Sequence, residues 1–190
     1  MKIKKYLKIY RLYINNGVSW LAQYRSDTWF NMIMHVMYLG MLFLVIHIIF
    51  NQTNSLVGWS KTEVYLLTLF WSIVDELYVI IFTANLSRIS EMVTEGDLDL
   101  ILTKPVSPLF VVSTNRFLSR GVYRLISTLI LLIWFVVSFN LNISFISWLL
   151  VAVMLFCGLL VFYAINLFVN TLSFWFFRID NVNDAIKSIN

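Results

Sequence analysis

The chain has 190 residues, of which 60% are hydrophobic and only 13% are charged, and its formal net charge is +4. A mean hydropathy of +0.81, with a charged fraction far below the roughly 25% of ordinary soluble domains, excludes a soluble globular protein. No charged residue occurs from 28 to 60 or from 125 to 177, and one bilayer crossing needs roughly 20 apolar helical residues. The composition therefore predicts an integral helical membrane protein, and we do not interpret its basic charge as nucleic-acid binding.

Residues 1–24 are predicted to form an amphipathic helix before the first membrane span. One helical stripe is apolar and another is basic: the first holds Ile3, Leu7, Tyr10 and Ile14, the second Lys4, Lys8 and Arg11. A helix of this kind lies in the membrane interface with its cations towards anionic headgroups. The alternative is a plain basic anchor that only fixes orientation. We expect the helix to break at residues 15–17, where two asparagines precede a glycine.

Four membrane spans are predicted, at residues 28–50, 63–85, 121–139 and 145–168. The chain has 14 Lys and Arg residues. Six lie before the first span, five lie from Arg88 to Arg124 around the 86–120 loop, and two follow the fourth span. Only Lys61 lies at the opposite ends of the spans. By the positive-inside rule, both termini, the loop at 86–120 and the tail at 178–190 are cytoplasmic. The predicted fold class is all-α: a polytopic membrane protein with an N-terminal amphipathic helix and four spans.

Two adjacent carboxylates, Asp75 and Glu76, lie near the middle of the second span, where each buried charge costs at least about 2.5–3.5 kcal/mol. Such a pair is a candidate cation site, proton relay or conformational latch, and a purely structural role is equally compatible with the sequence. Neighbouring helical positions point about 100° apart, so the two cannot line one wall. Arg124 is a candidate partner, although a rise of about 1.5 Å per residue predicts a depth offset of about 9 Å and a long reach.

Two histidines, His35 and His47, lie in the first span, about 120° apart around the helix. That separation argues against a shared metal ion, and the sequence predicts no carboxylate close to either ring. We therefore favour interior polar contacts for both residues.

The loop at 86–120 is the polar interruption of the chain and holds both of its prolines. Gly96 fits the C-cap of a helix that continues the second span, because a residue without Cβ readily adopts a positive φ. The prolines forbid a continuous helix. Ser107 is predicted to cap a short helix that begins at Pro108 and runs through Arg116 towards the third span.

The loop also carries a pattern of Gly, then Leu-Asp, then a Lys-Pro pair and a Pro-Leu pair. The residues of this pattern are Gly96, Asp97, Leu98, Asp99, Leu102, Lys104, Pro105, Pro108, Leu109 and Phe110. The pattern resembles the cytoplasmic loop of bacterial ABC-type-2 transporter permeases and, more narrowly, that of a subfamily whose loop carries Gly, Leu-Asp, Lys/Arg-Pro and Pro-Leu in this order. Tyr24-Arg25 before the first span and Gly58-Trp59 in the first exterior loop are similar to the same subfamily, so the resemblance extends over most of the chain.

The resemblance implies a transmembrane subunit of an exporter in the bacterial inner membrane, working with a separate cytoplasmic ATPase and a second permease subunit. In such permeases an N-terminal elbow helix precedes the first span. The loop between spans two and three supplies a coupling helix that sits in a groove of the ATPase. The chain has no GxxxxGK[ST] pattern, so we expect a transport subunit without a cofactor or metal ion rather than an enzyme.

The number of spans departs from the family, whose members normally have six. We therefore expect a truncated product, half of a split permease or a four-span relative. The alternative function is a non-transporting four-span interaction or immunity-type protein, or a truncated permease fragment. Four helices are too few to enclose a solute path, so association with further helices is expected on physical grounds.

Overall fold

The computed structural model describes residues 2–23, 25–141 and 143–172, and every regular element in that part of the chain is helical. The elements in order are α1 Lys2–Gln23, α2 Arg25–Gln52, α3 Lys61–Tyr78, a π-helical turn Val79–Thr83, α4 Ala84–Leu86, α5 Ile89–Glu95, α6 Asp97–Leu102, α7 Pro108–Thr114, α8 Arg120–Ser138 and α9 Phe145–Thr171. Four helical stretches in the described residues are long and apolar enough to cross a membrane. The predicted all-α membrane fold is confirmed. The predicted tail at 178–190 lies outside the described residues.

The four long stretches begin at Trp29, Lys61, Gly121 and Phe145, and each of the four predicted spans overlaps one of them. We call the ends near residues 51–60 the outer ends and those near the 86–120 loop the inner ends, following the orientation predicted from the Lys and Arg distribution.

Helix α3 is the centre of the bundle, with α2 and α8 packed on one side and α9 on the other. On the first side, a buried cluster joins Tyr65, Leu69 and Ile73 of α3 to Leu132 and Phe135 of α8. On the second side, aromatic rings meet edge to face: the ring centroid of Phe162 lies 5.6 Å from that of Trp71 and 4.6 Å from that of Tyr78.

Local chemistry explains where the helices begin and turn. Ser60 and Glu63 form a reciprocal capping box at the start of α3, in which the Ser60 N–H donates to Glu63 Oε2 at 2.7 Å. Between α8 and α9, Asn140 adopts φ +47°, a conformation that asparagine tolerates better than most residues, and Ser144 caps α9. The chain therefore turns between α8 and α9.

The 86–120 loop is a folded layer rather than an irregular connection. Its buried apolar residues form one cluster with Tyr78 of α3: Leu86, Ile89, Met92, Ile101, Val111 and Val112. The inner half of α9 packs against this cluster through Leu159, Phe162, Tyr163 and Leu167. The Ser113 and Tyr163 hydroxyls also share a hydrogen bond of 2.8 Å. The loop therefore rests on α9 as well as on the second span.

Helix α1 corrects one sequence prediction. It continues without a break through residues 15–17, because Gly17 packs where no side chain fits: a Cβ there would lie 2.6 Å from the carbonyl oxygen of Phe117. This contact offsets the cost of about 1 kcal/mol that a glycine carries inside a helix. The face towards the protein holds the half-buried Tyr6, Tyr10 and Tyr13, whereas Leu7, predicted to lie in the apolar stripe, is 62% exposed.

Candidate coupling loop and intramembrane polar network

The chain changes direction sharply at Gly96, between α5 and α6 of the loop. This residue ends α5 with φ +78° and ψ +5°, a left-handed conformation in which a Cβ would be strained. Helix α6 starts at the next residue, so the predicted C-cap is confirmed and it sets the orientation of α6.

Helix α6 has one face in the loop core and one face in solvent. Ile101 is buried and Leu98 is half-buried against the core, whereas Asp97 and Asp99 are exposed. Leu100, which the sequence pattern did not include, is 64% exposed. A six-residue helix of this kind presents apolar and acidic groups side by side.

Helix α7 begins at Pro108 as predicted, with Ser107 at the N-cap position. The Ser107 hydroxyl makes no capping hydrogen bond, so that part of the prediction is wrong. The helix ends at Thr114, and Arg116 lies beyond it rather than inside it. A tertiary contact explains why the helix stops before Arg116. The side chain of Asn85 in α4 makes hydrogen bonds to both the backbone N–H and the carbonyl of Arg116 and so holds this residue outside the helix.

The pattern residues divide into an exposed set and a half-buried set. Leu98, Pro108 and Phe110 are half-buried, and both Leu98 and Phe110 pack on the loop core. The others face solvent and, with Leu100, form what we call the docking surface: Gly96, Asp97, Asp99, Leu100, Leu102, Lys104, Pro105 and Leu109. The sequence pattern of the loop therefore includes both residues of the docking surface and residues that pack beneath it.

Helix α1 supports the proline-containing part of the loop from the side. Lys5 Nζ donates a hydrogen bond to the Pro105 carbonyl at 3.2 Å, and the Ser107 N–H donates to Tyr6 Oη at 3.1 Å. The Tyr6 ring meets the Phe110 ring edge to face, with centroids 4.9 Å apart. The sequence analysis did not predict these contacts between α1 and the loop, although the spacing of the tyrosines at 6, 10 and 13 indicates one face of the helix.

A buried ion pair joins the second and third spans. Glu76 is fully buried, and its Oε1 lies 2.8 Å from Arg124 Nη2. The predicted depth offset of about 9 Å is absent, because Gly121 of α8 packs level with Ile80 rather than with the end of α4. Glu76 lies four residues above Ile80 and Arg124 three above Gly121, which leaves a difference in rise of only about 1.5 Å.

His35 extends this pair to the first span. Arg124 Nε–H donates to His35 Nδ1 at 3.4 Å, so the ring proton is assigned to Nε2, which then donates to Thr128 Oγ1 at 3.0 Å. Thr128 in turn donates to the Arg124 carbonyl at 3.1 Å. The interior polar contact predicted for His35 is confirmed. The predicted absence of a carboxylate is wrong, because Glu76 Oε1 lies 3.6 Å from Nδ1.

The remaining polar candidates of the spans are His47 and Asp75. His47 is exposed, and its Nδ1 lies 2.6 Å from Lys61 Nζ at the outer end, so the interior interpretation was wrong for this residue. Asp75 is half-buried beside the fully buried Glu76, which agrees with the different directions expected for adjacent helical positions. Glu76 Oε2 has no hydrogen-bond partner within the described part of the chain.

Comparison with known protein families decides the assignment. Residues 36–190 match the family described as ABC-2 family transporter protein. The chain belongs to the ABC-2 transporter family. Comparisons with curated proteins and with solved structures give no match. The matched region runs from within α2 and includes the docking surface and three members of the polar network, Glu76, Arg124 and Thr128; His35 lies one residue before it.

Membership of the ABC-2 family identifies the chain as a membrane transport subunit rather than a catalytic one. Two features of this ABC-2 protein are then candidates for its mechanism: the docking surface and the network of Glu76, Arg124, His35 and Thr128. The sequence indicated both carboxylates of the second span and Arg124 but not the contribution of the first span. Pairing across three helices depends on their relative depth, which no periodicity reveals.

Proposed function

We propose that this ABC-2 family protein is the permease subunit of an ATP-driven exporter of the bacterial inner membrane, moved by a separate ATPase that binds the docking surface. The observation that carries the proposal is the exposure of Leu100, Leu102 and Leu109 beside Asp97 and Asp99. Exposed apolar groups grouped on a polar loop are typical of a protein–protein contact. No ATP-binding pattern occurs in the chain, so the motor is a second protein.

The support beneath the docking surface fits this role. A coupling element must be stiff, because a flexible loop dissipates an applied displacement. Ile101 and Val111 fix α6 and α7 to a common core, Gly96 sets the direction of α6, and Tyr6 holds the proline-containing segment from the side. Force applied to the surface therefore reaches the membrane helices through packed groups.

The chemistry of the surface also describes its partner. Asp97 and Asp99 are complemented by basic residues, and the three exposed leucines are complemented by an apolar groove. We therefore expect the ATPase to present a groove with Lys or Arg at its rim.

A second permease subunit is part of the proposal. The described chain offers four membrane-crossing helices, and none of the residues in the most apolar window of α9 is buried within the chain. Four helices do not enclose a solute path, so a homodimer or heterodimer completes it.

The test is co-purification from native membranes with a charge reversal in the docking surface. Tagged wild-type chain, Asp99→Arg and Asn15→Arg are purified in mild detergent, and the bound proteins are identified by mass spectrometry. Asn15 is exposed on α1, outside the docking surface, so Asn15→Arg adds the same charged side chain on the same predicted side of the membrane. We expect an ATP-binding subunit with wild type and Asn15→Arg, and its loss with Asp99→Arg.

Equal recovery of the ATPase with Asp99→Arg would overturn the assignment of the docking surface. Recovery of a stable wild-type chain without any ATP-binding protein would overturn the proposed exporter and favour a non-transporting membrane protein.

A further inference from the structure

The inner end of the second span contains a π-helical turn, Val79–Thr83, that the sequence did not predict. Such turns disturb the regular hydrogen-bond ladder and frequently mark functional positions. Here the Ile80 carbonyl accepts a hydrogen bond of 3.0 Å from the backbone N–H of Leu118. Leu118 belongs to the irregular segment that joins α7 to α8, so this bond ties the end of the 86–120 loop to the second span.

A second tie comes from a buried side chain one turn further along. Asn85 is only 1% exposed. Its Oδ1 accepts from the Arg116 N–H at 2.7 Å, and its Nδ2 donates to the Arg116 carbonyl at 2.8 Å and to the Ile81 carbonyl at 2.8 Å. One side chain therefore satisfies both polar groups of Arg116, as a neighbouring β-strand would. Losing it would remove the hydrogen-bond partner of both groups in a partly buried position.

A third contact fixes the start of α8 at the same level. Gly121 is buried, and a Cβ at this position would lie 2.7 Å from Cγ1 of Ile80. Only glycine allows α8 to approach the π-turn this closely. We call the set Ile80, Asn85, Arg116, Leu118 and Gly121 the α7–α8 junction.

The α7–α8 junction allows a displacement of α7 to be transmitted to α8. Residues 115–119, between α7 and α8, have no regular structure, so a displacement of α7 would be absorbed there if the segment were unattached. Transmission to α9 has no such gap, because the loop core and the Ser113–Tyr163 hydrogen bond join α7 to α9 directly. The third and fourth spans are thus connected to the loop by different means.

We propose that Asn85 is the positioning residue that makes the start of α8 move as one body with the loop and the inner end of the second span. This inference rests on the proposed function, since it assigns the route by which ATPase-driven movement reaches the third span. Substitution of Asn85 then loosens the attachment of α8 to the loop, although the Leu118–Ile80 hydrogen bond remains, and leaves α9 connected.

Two spin-label pairs test this directly in the chain alone. In a Cys157→Ser background, which removes the one native cysteine, Leu100→Cys in the loop is paired with Val137→Cys in α8 or with Met154→Cys in α9; all three sites are exposed. Pulsed electron paramagnetic resonance in nanodiscs measures both distance distributions for wild type and Asn85→Leu. We expect Asn85→Leu to split or broaden the 100–137 distribution and to leave 100–154 unchanged.

The matched control is Asn166→Leu. Asn166 is a half-buried asparagine whose Nδ2 donates within its own helix, to the Phe162 carbonyl at 2.8 Å. The Asn166→Leu variant should show the same 100–137 and 100–154 distance distributions as wild type. Asn85→Asp, which keeps an acceptor for the Arg116 N–H but loses the amide donor, should broaden the 100–137 distribution less than Asn85→Leu. Equal broadening of both pairs by Asn85→Leu, or no broadening of either, overturns the proposal.

Adding the co-purified ATPase with a non-hydrolysable ATP analogue separates this inference from the proposed function. Because Leu100 belongs to the docking surface, the loop label for this measurement is placed instead at Glu95→Cys, which is exposed at the end of α5 and outside that surface. In wild type both distances from residue 95 should shift, whereas in Asn85→Leu the 95–137 distance should shift less than in wild type and the 95–154 distance should shift as in wild type. A wild-type chain that binds no ATPase overturns the exporter and with it the transmission route, while the measurements on the chain alone still decide whether Asn85 fixes α8 to the loop.

Discussion

The carboxylate of Glu76 and the guanidinium of Arg124 meet at 2.8 Å because two residues one turn further in, Ile80 and Gly121, pack at the same depth. The ion pair and the close glycine contact are thus parts of one helix–helix interface. His35 adds the first span to it through the 3.4 Å hydrogen bond from Arg124. Three of the four spans are held at one level near their inner ends.

The two halves of the ion pair should respond differently to substitution. Glu76 is fully buried, whereas the Arg124 side chain is 32% exposed and has access to the surface without its partner. Arg124→Gln leaves a buried carboxylate unpaired and should cost about 3–5 kcal/mol, and Glu76→Gln should cost less. Unfolding in mixed micelles of increasing SDS content measures both changes.

The double variant Glu76→Gln/Arg124→Gln is the control for coupling. Its loss of stability should be smaller than the sum of the two single losses, because the unpaired charge is removed. A loss for Glu76→Gln as large as that for Arg124→Gln would contradict the asymmetry.

Gly17 and Gly40 form a matched pair of helical glycines. Gly17→Ala places a Cβ 2.6 Å from the Phe117 carbonyl oxygen and should destabilise the docking of α1 by about 1–3 kcal/mol. Gly40→Ala meets no atom within 4 Å and should be neutral or stabilise by up to about 1 kcal/mol. Hydrogen–deuterium exchange of α1 peptides measures the first effect. Unchanged exchange in Gly17→Ala would show that α1 is not held by this contact.

Tyr6 supports the loop through both its hydroxyl and its ring. Tyr6→Phe removes the acceptor of the Ser107 N–H but keeps the ring contact with Phe110, so exchange at Ser107 should become about two- to tenfold faster. Tyr6→Ala removes both contacts and should accelerate exchange further. Tyr38→Phe, at an exposed tyrosine of α2, is the control and should change nothing in this segment. Equal exchange in all three variants would exclude support by α1.

Gly96 should tolerate asparagine better than alanine. A Cβ at this position meets no neighbouring atom, so the cost comes only from the backbone at φ +78°. Gly96→Ala should lose about 1–2 kcal/mol, and Gly96→Asn clearly less, because asparagine visits the left-handed region more readily. Thermal unfolding midpoints of the two variants in the same detergent measure the difference. Identical midpoints would mean that the left-handed turn is not maintained in solution.

Several elements followed from the sequence alone. Charge-free stretches of 33 and 53 residues predicted the first, third and fourth membrane helices, because a bilayer core accommodates long apolar helical segments. The left-handed turn at Gly96 and the helix start at Pro108 also followed, since each depends on backbone chemistry within a few residues. The same reasoning went wrong at residues 15–17 of α1, where a local preference was overridden by packing.

Only the tertiary structure decided which residues of different helices contact one another. Three contacts join residues that lie 101, 48 and 31 positions apart in the chain: Tyr6 with Ser107, Glu76 with Arg124, and Asn85 with Arg116. Each depends on the relative depth of two helices, which is set by close packing such as that of Gly121 on Ile80. Local sequence specifies a helix and its faces, but the level at which helices meet is a property of the assembled bundle.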